Sequence, residues 1–324
     1  MCTAISFKTK DCYFGRNLDL EYSYDETVTI TPRNFSFDFG SGTVLKNHYA
    51  IIGMAYVVDN YPLYYDAVNE KGVAIAGLSF EGYAHYNNPE DGRDNVAAFE
   101  LIPRILCQCA DMEQVIDAVN NINITDVPFS RDLPPSPLHW MISHKGVSIV
   151  VEQTKDGLNV FENPVGVLTN NPTFDYHMFS LNNYMGLSPN QAANNFCGCL
   201  QLNEYSRGMG AIGLPGDLSS NSRFVRAVFT KLSSVCGTSE SDSVSQFFHI
   251  LGSVEQTRGC TRLDGDKYEI TVYSSCCNAD KGIYYYSTYG NRQISAVDMH
   301  RENLDGNELV CYPLHMNQQI QKQN

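Results

Sequence analysis

The chain is short of positive charge and of tryptophan: 22 Lys and Arg stand against 36 Asp and Glu, a formal net charge of −14, and one Trp serves 324 residues. Such a balance repels phosphate backbones and offers no basic stripe from which counterions could be released, so nucleic acid is not expected as a partner. No apolar run approaches the ~18 residues a transmembrane helix needs, and the opening MCTAISFKTKDCYFGRN has no apolar stretch before its first charges. Neither membrane insertion nor export by a standard signal is expected, and the location expected is cytoplasmic. Internal repeats, low-complexity tracts and long linkers are missing as well. Residues 1–324 therefore read as one domain, although the length alone would allow two.

What the chain does contain is ordinary globular stock, 43% hydrophobic and 18% charged, enough to bury a large core. Its 11 cysteines are an odd number, which argues for free thiols in a reducing compartment rather than a disulfide framework. Short β-rich runs at Thr3 to Phe7, Val28 to Thr31, Tyr49 to Val58, Leu63 to Val68 and Val73 to Phe80 make the first eighty residues mostly sheet. Helical spacing follows over Val96 to Cys109, with Pro103 inside it, and Asp111 with Glu113 caps a second helix through Val119. Asp132-Leu-Pro-Pro-Ser-Pro137 is a stiff loop between the two halves of the chain.

A second series of strands is expected at Leu138 to Ser143, Val147 to Gln153, Leu158 to Phe161 and Val165 to Thr169. Helices at Phe224 to Leu232, with Ser219 to Ser222 as cap candidates, and at Val244 to Val254 would cover this second sheet. Strands return at Glu269 to Ser275, Gly282 to Thr288 and Gln293 to Val297, ahead of a polar tail from Gln318. Helices outside two sheets, an α+β fold of αββα sandwich type, fit this order better than a parallel doubly wound sheet.

Chemistry points first to Cys2. Removal of Met1 would leave an N-terminal cysteine, a nucleophilic sulfur beside an α-amine whose reference pKa of about 7.7–8.0 suits a general base at neutral pH. Nucleophile and base then share one residue. Taken alone, a cysteine at position two is equally an accident of sequence. Phe14-Gly-Arg-Asn-Leu-Asp19 follows by a short turn, so Arg16 and Asp19 can fold back beside Cys2, the one favouring thiolate and the other orienting the amine.

These residues, with YPLYYDAVNEKGVAIAGLSF, PLHWMIS, VGVLTNNPTFDYH, GLPGDLSSNSRFVRA, FFHILGSVEQ, YSSCC and KGIYYY in order along the chain, resemble the choloylglycine hydrolases, and among them the bile salt hydrolase branch more than the penicillin V acylases. The resemblance implies an N-terminal-nucleophile hydrolase fold, two antiparallel sheets between helix layers, and hydrolysis of glycine- and taurine-conjugated bile acids without metal or organic cofactor. It implies Cys2 as nucleophile, Arg16 and Asp19 as its support, Asn170 as oxyanion donor through its side-chain amide, and Arg223 as the last polar member. On spacing alone, Arg223 would be a surface helix residue and Asn170 a turn former before Pro172. One departure is Ser79 in GLSF, where bile salt hydrolases usually carry Asn; the family's second oxyanion donor there is the backbone N–H, which a serine keeps.

The resemblance also implies a substrate cleft bordered by Leu20, Tyr24, Tyr61, Tyr65, Phe129 and Leu133, each of which also reads as plain core, and a homotetramer built through a loop near Asn190 to Gly210. Rival readings are an acylase for penicillin V or N-acyl-homoserine lactones, kept open by Ser79, and a non-hydrolytic thiol sensor. Cys107-Gln-Cys109, Cys197-Gly-Cys199 and Cys276-Cys277 lack zinc-site spacing and read as inert thiols, with at most one of Cys107 and Cys109 in the core. No histidine, His139 and His249 included, is tied to Cys2 in the manner of a papain-like dyad. Gly208-Met-Gly-Ala-Ile-Gly213 follows no strand and reads as a turn rather than a dinucleotide loop.

Overall fold

The computed structural model describes residues 1–40 and 42–324. Strands β1 (Cys2–Lys8), β2 (Cys12–Leu20), β3 (Thr27–Thr31), β4 (Ile51–Val58), β5 (Tyr61–Asn69) and β6 (Ala74–Ser79) lead into helices α1 (Leu101–Gln108) and α2 (Met112–Asn121). Next come β7 (Leu138–His144), β8 (Val147–Thr154), β9 (Gly157–Glu162) and β10 (Val167–Leu168), then α3 (Phe174–Ser180), α4 (Ser220–Ser233) and α5 (Glu240–Gly252). The chain closes with β11 (Ile270–Asn278), β12 (Ile283–Thr288), β13 (Asn291–Asp298) and β14 (Val310–Pro313).

Two antiparallel sheets result. One has six strands in the order β10-β1-β2-β11-β12-β13, the other eight in the order β9-β8-β7-β6-β5-β4-β3-β14. They pack face to face, with α4 and α5 on the outer face of the six-stranded sheet and α1 and α2 on that of the eight-stranded one. This is the αββα sandwich the sequence led us to expect. Both faces of the eight-stranded sheet are covered, so both are apolar: Met54, Met141 and Val150 enter the core between the sheets, while Ile51, Trp140, Ile142 and Val151 enter the core under α1 and α2. The near-continuous apolar runs of the sequence are the consequence.

Three expectations need correction. The strands of Leu138 to Phe161 do not found a second sheet: β7 pairs with β6, extending the sheet begun in the first eighty residues, and α4 and α5 cover the other one. The helix expected from Val96 begins only at Leu101, because Asp94–Ala97 pairs as a parallel strand with Ile122–Thr125; Pro103 then sits in the first turn, where its missing N–H costs nothing. Cys107 and Cys109 are both buried, since the helix ends at Gln108 and the extended backbone of Cys109 turns its side chain back to the core.

Capping follows local chemistry. The Asp111 carboxylate accepts the Gln114 N–H at the start of α2, as its sequence position suggested. Ser219 occupies the N-cap position of α4 without a side-chain bond, and the neighbouring Ser220 hydroxyl bonds Asn170 and Thr169 instead.

Candidate active site

Cys2 opens β1 and is 3% exposed. Antiparallel pairing sets Cys2 opposite Leu18 and Thr3 opposite Asn17 on β2, so side chains sort by parity: Cys2, Arg16 and Leu18 face the other sheet, while Thr3, Asn17 and Asp19 face α4 and α5. Asn17 Nδ2 accordingly reaches the Leu251 carbonyl of α5, and Thr3 Oγ1 accepts Arg223 Nη1 of α4 at 2.7 Å. Arg16 and Asp19 thus flank Cys2 from opposite faces of one sheet.

Arg16 is fully buried. Its Nη1 donates to the carbonyls of Tyr65 at 3.0 Å and Gly77 at 2.5 Å, while Nη2 has no hydrogen-bond partner. A β-bulge explains the socket: pairing of β4 with β5 skips Tyr65, and the β5–β6 ladder ends at Asp66 with Ala76, so the Tyr65 and Gly77 carbonyls face a gap instead of a strand. Burial disfavours the guanidinium charge, but Cys2, Tyr273, Asp66 and Asp19 favour it more, and the pKa is raised.

A second bulge, at Val272, puts Thr271 opposite Asp19 and Tyr273 opposite Leu18. In an unbroken strand residues two apart share a face; here Thr271 Oγ1 donates to Asp19 Oδ1 at 2.6 Å on the helix side, and Tyr273 OH reaches Asp66 Oδ1 at 2.6 Å between the sheets. Asp19 Oδ2 lies 3.9 Å from Arg223 Nη1, both side chains fully buried. Burial pushes the Asp19 carboxyl up to about 6, against the opposing pull of Arg223, the chain N-terminus and Thr271.

Asn170 follows β10, and its amide is fixed at both ends. Oδ1 accepts the Cys2 N–H at 2.8 Å and Arg223 Nη2 at 2.7 Å, so Nδ2 must point the other way, where it donates to the Ser79 carbonyl at 2.8 Å. Ser220 Oγ accepts the Asn170 N–H and donates to Thr169 Oγ1, which is why this serine does not cap α4. His177, held neutral by burial, meets the Asn170 carbonyl through Nε2 at 2.7 Å. Phe80 N–H pairs with the Pro137 carbonyl, so by strand alternation the N–H and C=O of Ser79 face away from β7, toward Asn170 and the gap.

The six polar residues of the sequence reading, Cys2, Arg16, Asp19, Ser79, Asn170 and Arg223, therefore come together around β1. The apolar six are more dispersed. Tyr61 packs at a tilt against Phe129 (ring centroids 5.5 Å apart) and edge-to-face against Phe99. Leu20 and Tyr65 border the core between the sheets, and Tyr24 lies 6.3 Å from Tyr56. Leu133 forms a two-way backbone contact with Ser130, in the same loop as Phe129.

Several supporting residues escaped the sequence reading. Asp66 is buried and accepts Tyr273 OH, Tyr284 OH at 2.6 Å and Ser275 Oγ at 3.1 Å, and Ser275 Oγ in turn accepts the Arg16 N–H. A carboxylate inside the apolar run Leu63 to Val68 was the signal that could have found it. Glu269 pairs with the Met1 ammonium, while Met1 and Asp19 exchange backbone hydrogen bonds. His139 is engaged by Glu152 Oε1 and the Thr169 carbonyl, with no bond to Cys2. Among the described residues no group of three or more His, Cys, Asp or Glu side chains is placed to hold a metal. A cleft lined by Arg33, His48, Glu70 and Asp305 contains none of these polar six.

Residues 2–312 match the family model for linear amide C–N hydrolases, choloylglycine hydrolase family. The chain is 54% identical over 314 residues to a bile salt hydrolase/transferase of Lactiplantibacillus plantarum, covering 97% of each. A solved conjugated bile acid hydrolase from Clostridium perfringens superposes with a TM-score of 0.93 at 42% identity, covering 100% of both chains. A penicillin V acylase from Agrobacterium tumefaciens shares the fold at 19% identity, with a TM-score of 0.71 over 98% of this chain and 94% of that one.

Proposed function

The chain belongs to the choloylglycine hydrolase family of linear amide C–N hydrolases, and from that premise we propose that it cleaves bile acids conjugated to glycine or taurine, with Cys2 as nucleophile once Met1 is gone. In this reading the freed α-amine takes the thiol proton, Sγ attacks the amide carbonyl, and the same amine hands the proton to the departing amino acid. Water then hydrolyses the thioester and releases the bile acid. Met1 in place makes the Cys2 nitrogen an amide without a basic lone pair, so this mechanism requires removal of Met1. Residues 2–324 act as one catalytic domain.

Arg16, whose Nη2 is unpartnered, sets a buried positive charge beside Cys2. Asn170 Nδ2 and the Ser79 N–H serve as the oxyanion donors. Arg223 orients Asn170 and fixes the Cys2 carbonyl, and Asp19 balances Arg223 and the new N-terminal charge. The observation that carries the reading is the clamp on Asn170: with its oxygen taken by Cys2 and Arg223, its NH₂ is aimed toward Ser79 before any substrate arrives. Leu20, Tyr24, Tyr61, Tyr65, Phe129 and Leu133 are the proposed sterol-facing residues.

Association as a homotetramer through residues 190–210 is part of the proposal; Phe196 and Tyr205, 81% and 84% exposed, support it. All 11 cysteines are free thiols, which supports a cytoplasmic location, and no described helix is long and apolar enough to cross a membrane. The test is release of glycine and taurine from glycocholate and taurocholate by protein shown by intact mass to lack Met1, with penicillin V alongside. Release from the bile acids is expected. Turnover of penicillin V alone would overturn the substrate assignment in favour of the acylase reading, in which the Ser79 side chain replaces the usual Asn.

A further inference from the structure

His139 and Glu152 are fully buried, yet no step of the hydrolysis uses either. β7 and β8 pair Trp140 with Val151, so one step further along the ladder His139 stands across from Glu152. Residues two apart on a strand share a face, and Met141 and Val150 enter the core between the sheets; His139 and Glu152 therefore point into that same apolar layer. A polar pair is costly there unless its atoms are bonded. His139 Nε2 meets the Thr169 carbonyl at 2.9 Å, and since a carbonyl can only accept, Nε2 carries the hydrogen. Nδ1 meets Glu152 Oε1 at 3.0 Å, and the same oxygen accepts the Phe174 N–H at 3.0 Å, at the start of α3. Thr169 precedes Asn170, so His139 grips the carbonyl of the peptide whose N–H, that of Asn170, is taken by Ser220 Oγ at 2.9 Å. On its flat side the His139 ring lies over Phe80, with centroids 4.2 Å apart and planes 8° from parallel, and Phe80 follows Ser79. One ring thus touches both segments that bring the oxyanion donors, the Asn170 amide and the Ser79 N–H.

We propose that His139, oriented by Glu152, is a positioning residue of the oxyanion hole: it fixes the Thr169–Asn170 peptide against Phe80 and so sets the separation of the two donors. The inference rests on the reading of Asn170 and Ser79 as those donors. His139 makes no hydrogen bond to Cys2 and acts only through the two segments it holds. Displacing a group at the reacting centre by about 1 Å can cost about 10²-fold in rate, so bracing of this kind is read in kcat.

The test compares two substitutions of the same shape. His139→Gln keeps an N–H donor able to reach the Thr169 carbonyl, and His139→Met fills the same space without one. Wild-type protein lacking Met1 is first assayed on glycocholate and penicillin V, and whichever amide it cleaves serves as substrate, so failure of the bile acid reading leaves the comparison intact. His139→Met should lower kcat by about 10–10²-fold with KM within about twofold of wild type, and His139→Gln should recover most of that loss. Glu152→Gln, isosteric and still able to accept the Phe174 N–H, should lower kcat by about three- to tenfold, and it decides the matter if His139→Met does not fold. The aldehyde with the substrate's acyl chain, to which Cys2 adds as a thiohemiacetal with its oxygen in the hole, should bind His139→Met more weakly by the same factor as kcat, while the free acid binds as it does to wild type. The proposal is overturned if the folded Gln and Met variants lose kcat equally, if the loss falls on KM, if Glu152→Gln turns over like wild type, or if aldehyde and acid weaken together; a wild type that cleaves neither amide overturns the proposal and the functional reading alike.

Discussion

At the scale of single residues, Asn170 joins three parts of the site: Cys2, Arg223 and Ser79 all bond one side-chain amide. Asn170→Ala should lower kcat by about 10²–10³ with a much smaller change in KM, because an oxyanion donor works mainly in the transition state; steady-state kinetics on a conjugated bile acid checks this. Asp19 gives a pH signature. Its carboxyl, pushed up to about 6 by burial, is ionised above that pH and supports Arg223; below it the proton returns, the ion pair is lost and the rate should fall. A kcat/KM profile should therefore step down through about pH 6, and Asp19→Asn should lower the plateau and remove that step; an unchanged step in the variant would assign it elsewhere. The sequence led to Asn170 only through resemblance, since spacing alone made it a turn former, whereas Asp19 followed from the short turn that folds it back beside Cys2. Asp66, by contrast, could have been flagged from its apolar surroundings.

Among the elements, β2 carries the heaviest constraint. It lies between β1 and β11, and Gly15, next to Arg16, is the point where β11 comes closest: a Cβ there would land on the Ser275 carbonyl oxygen, and Ser275 is the residue whose hydroxyl accepts the Arg16 N–H. Gly15→Ala should force β11 outward and cost about 1–3 kcal/mol of stability or more, together with activity, read by denaturant unfolding and by turnover. The two bulges, at Tyr65 and Val272, supply the rest of the geometry by turning carbonyls and hydroxyls out of their ladders and onto Arg16, Asp19 and Asp66. Neither was legible in the sequence. Alternation marks a strand but not the residue its partner skips, and that depends on a register set by residues far along the chain.

For the whole molecule, the lesson is one of pairing. Individual strands were readable because each carries its own pattern, yet their division into two sheets was read wrongly, since β2 finds its partner β11 some 250 residues later (Asn17 with Ser274) and β7 returns to β6 across two helices. The site depends on that long-range closure, being assembled from the first strand, both sheets and α4. The exposed side chains of residues 190–210 belong to the same scale. Phe196→Ser with Tyr205→Ser should shift the protein to a smaller species in sedimentation without lowering the turnover of each subunit's Cys2; an unchanged sedimentation coefficient would contradict association through that segment.

The central claim is that an N-terminal Cys2 carries the acyl group, and acid quenching during turnover of glycocholate tests it most directly. Peptide mass analysis should find a cholyl thioester on a Cys2 peptide that begins at Cys2, absent from Cys2→Ala protein, which should be folded and inactive. An acyl group on any other residue, or full turnover by protein that retains Met1, would contradict the account.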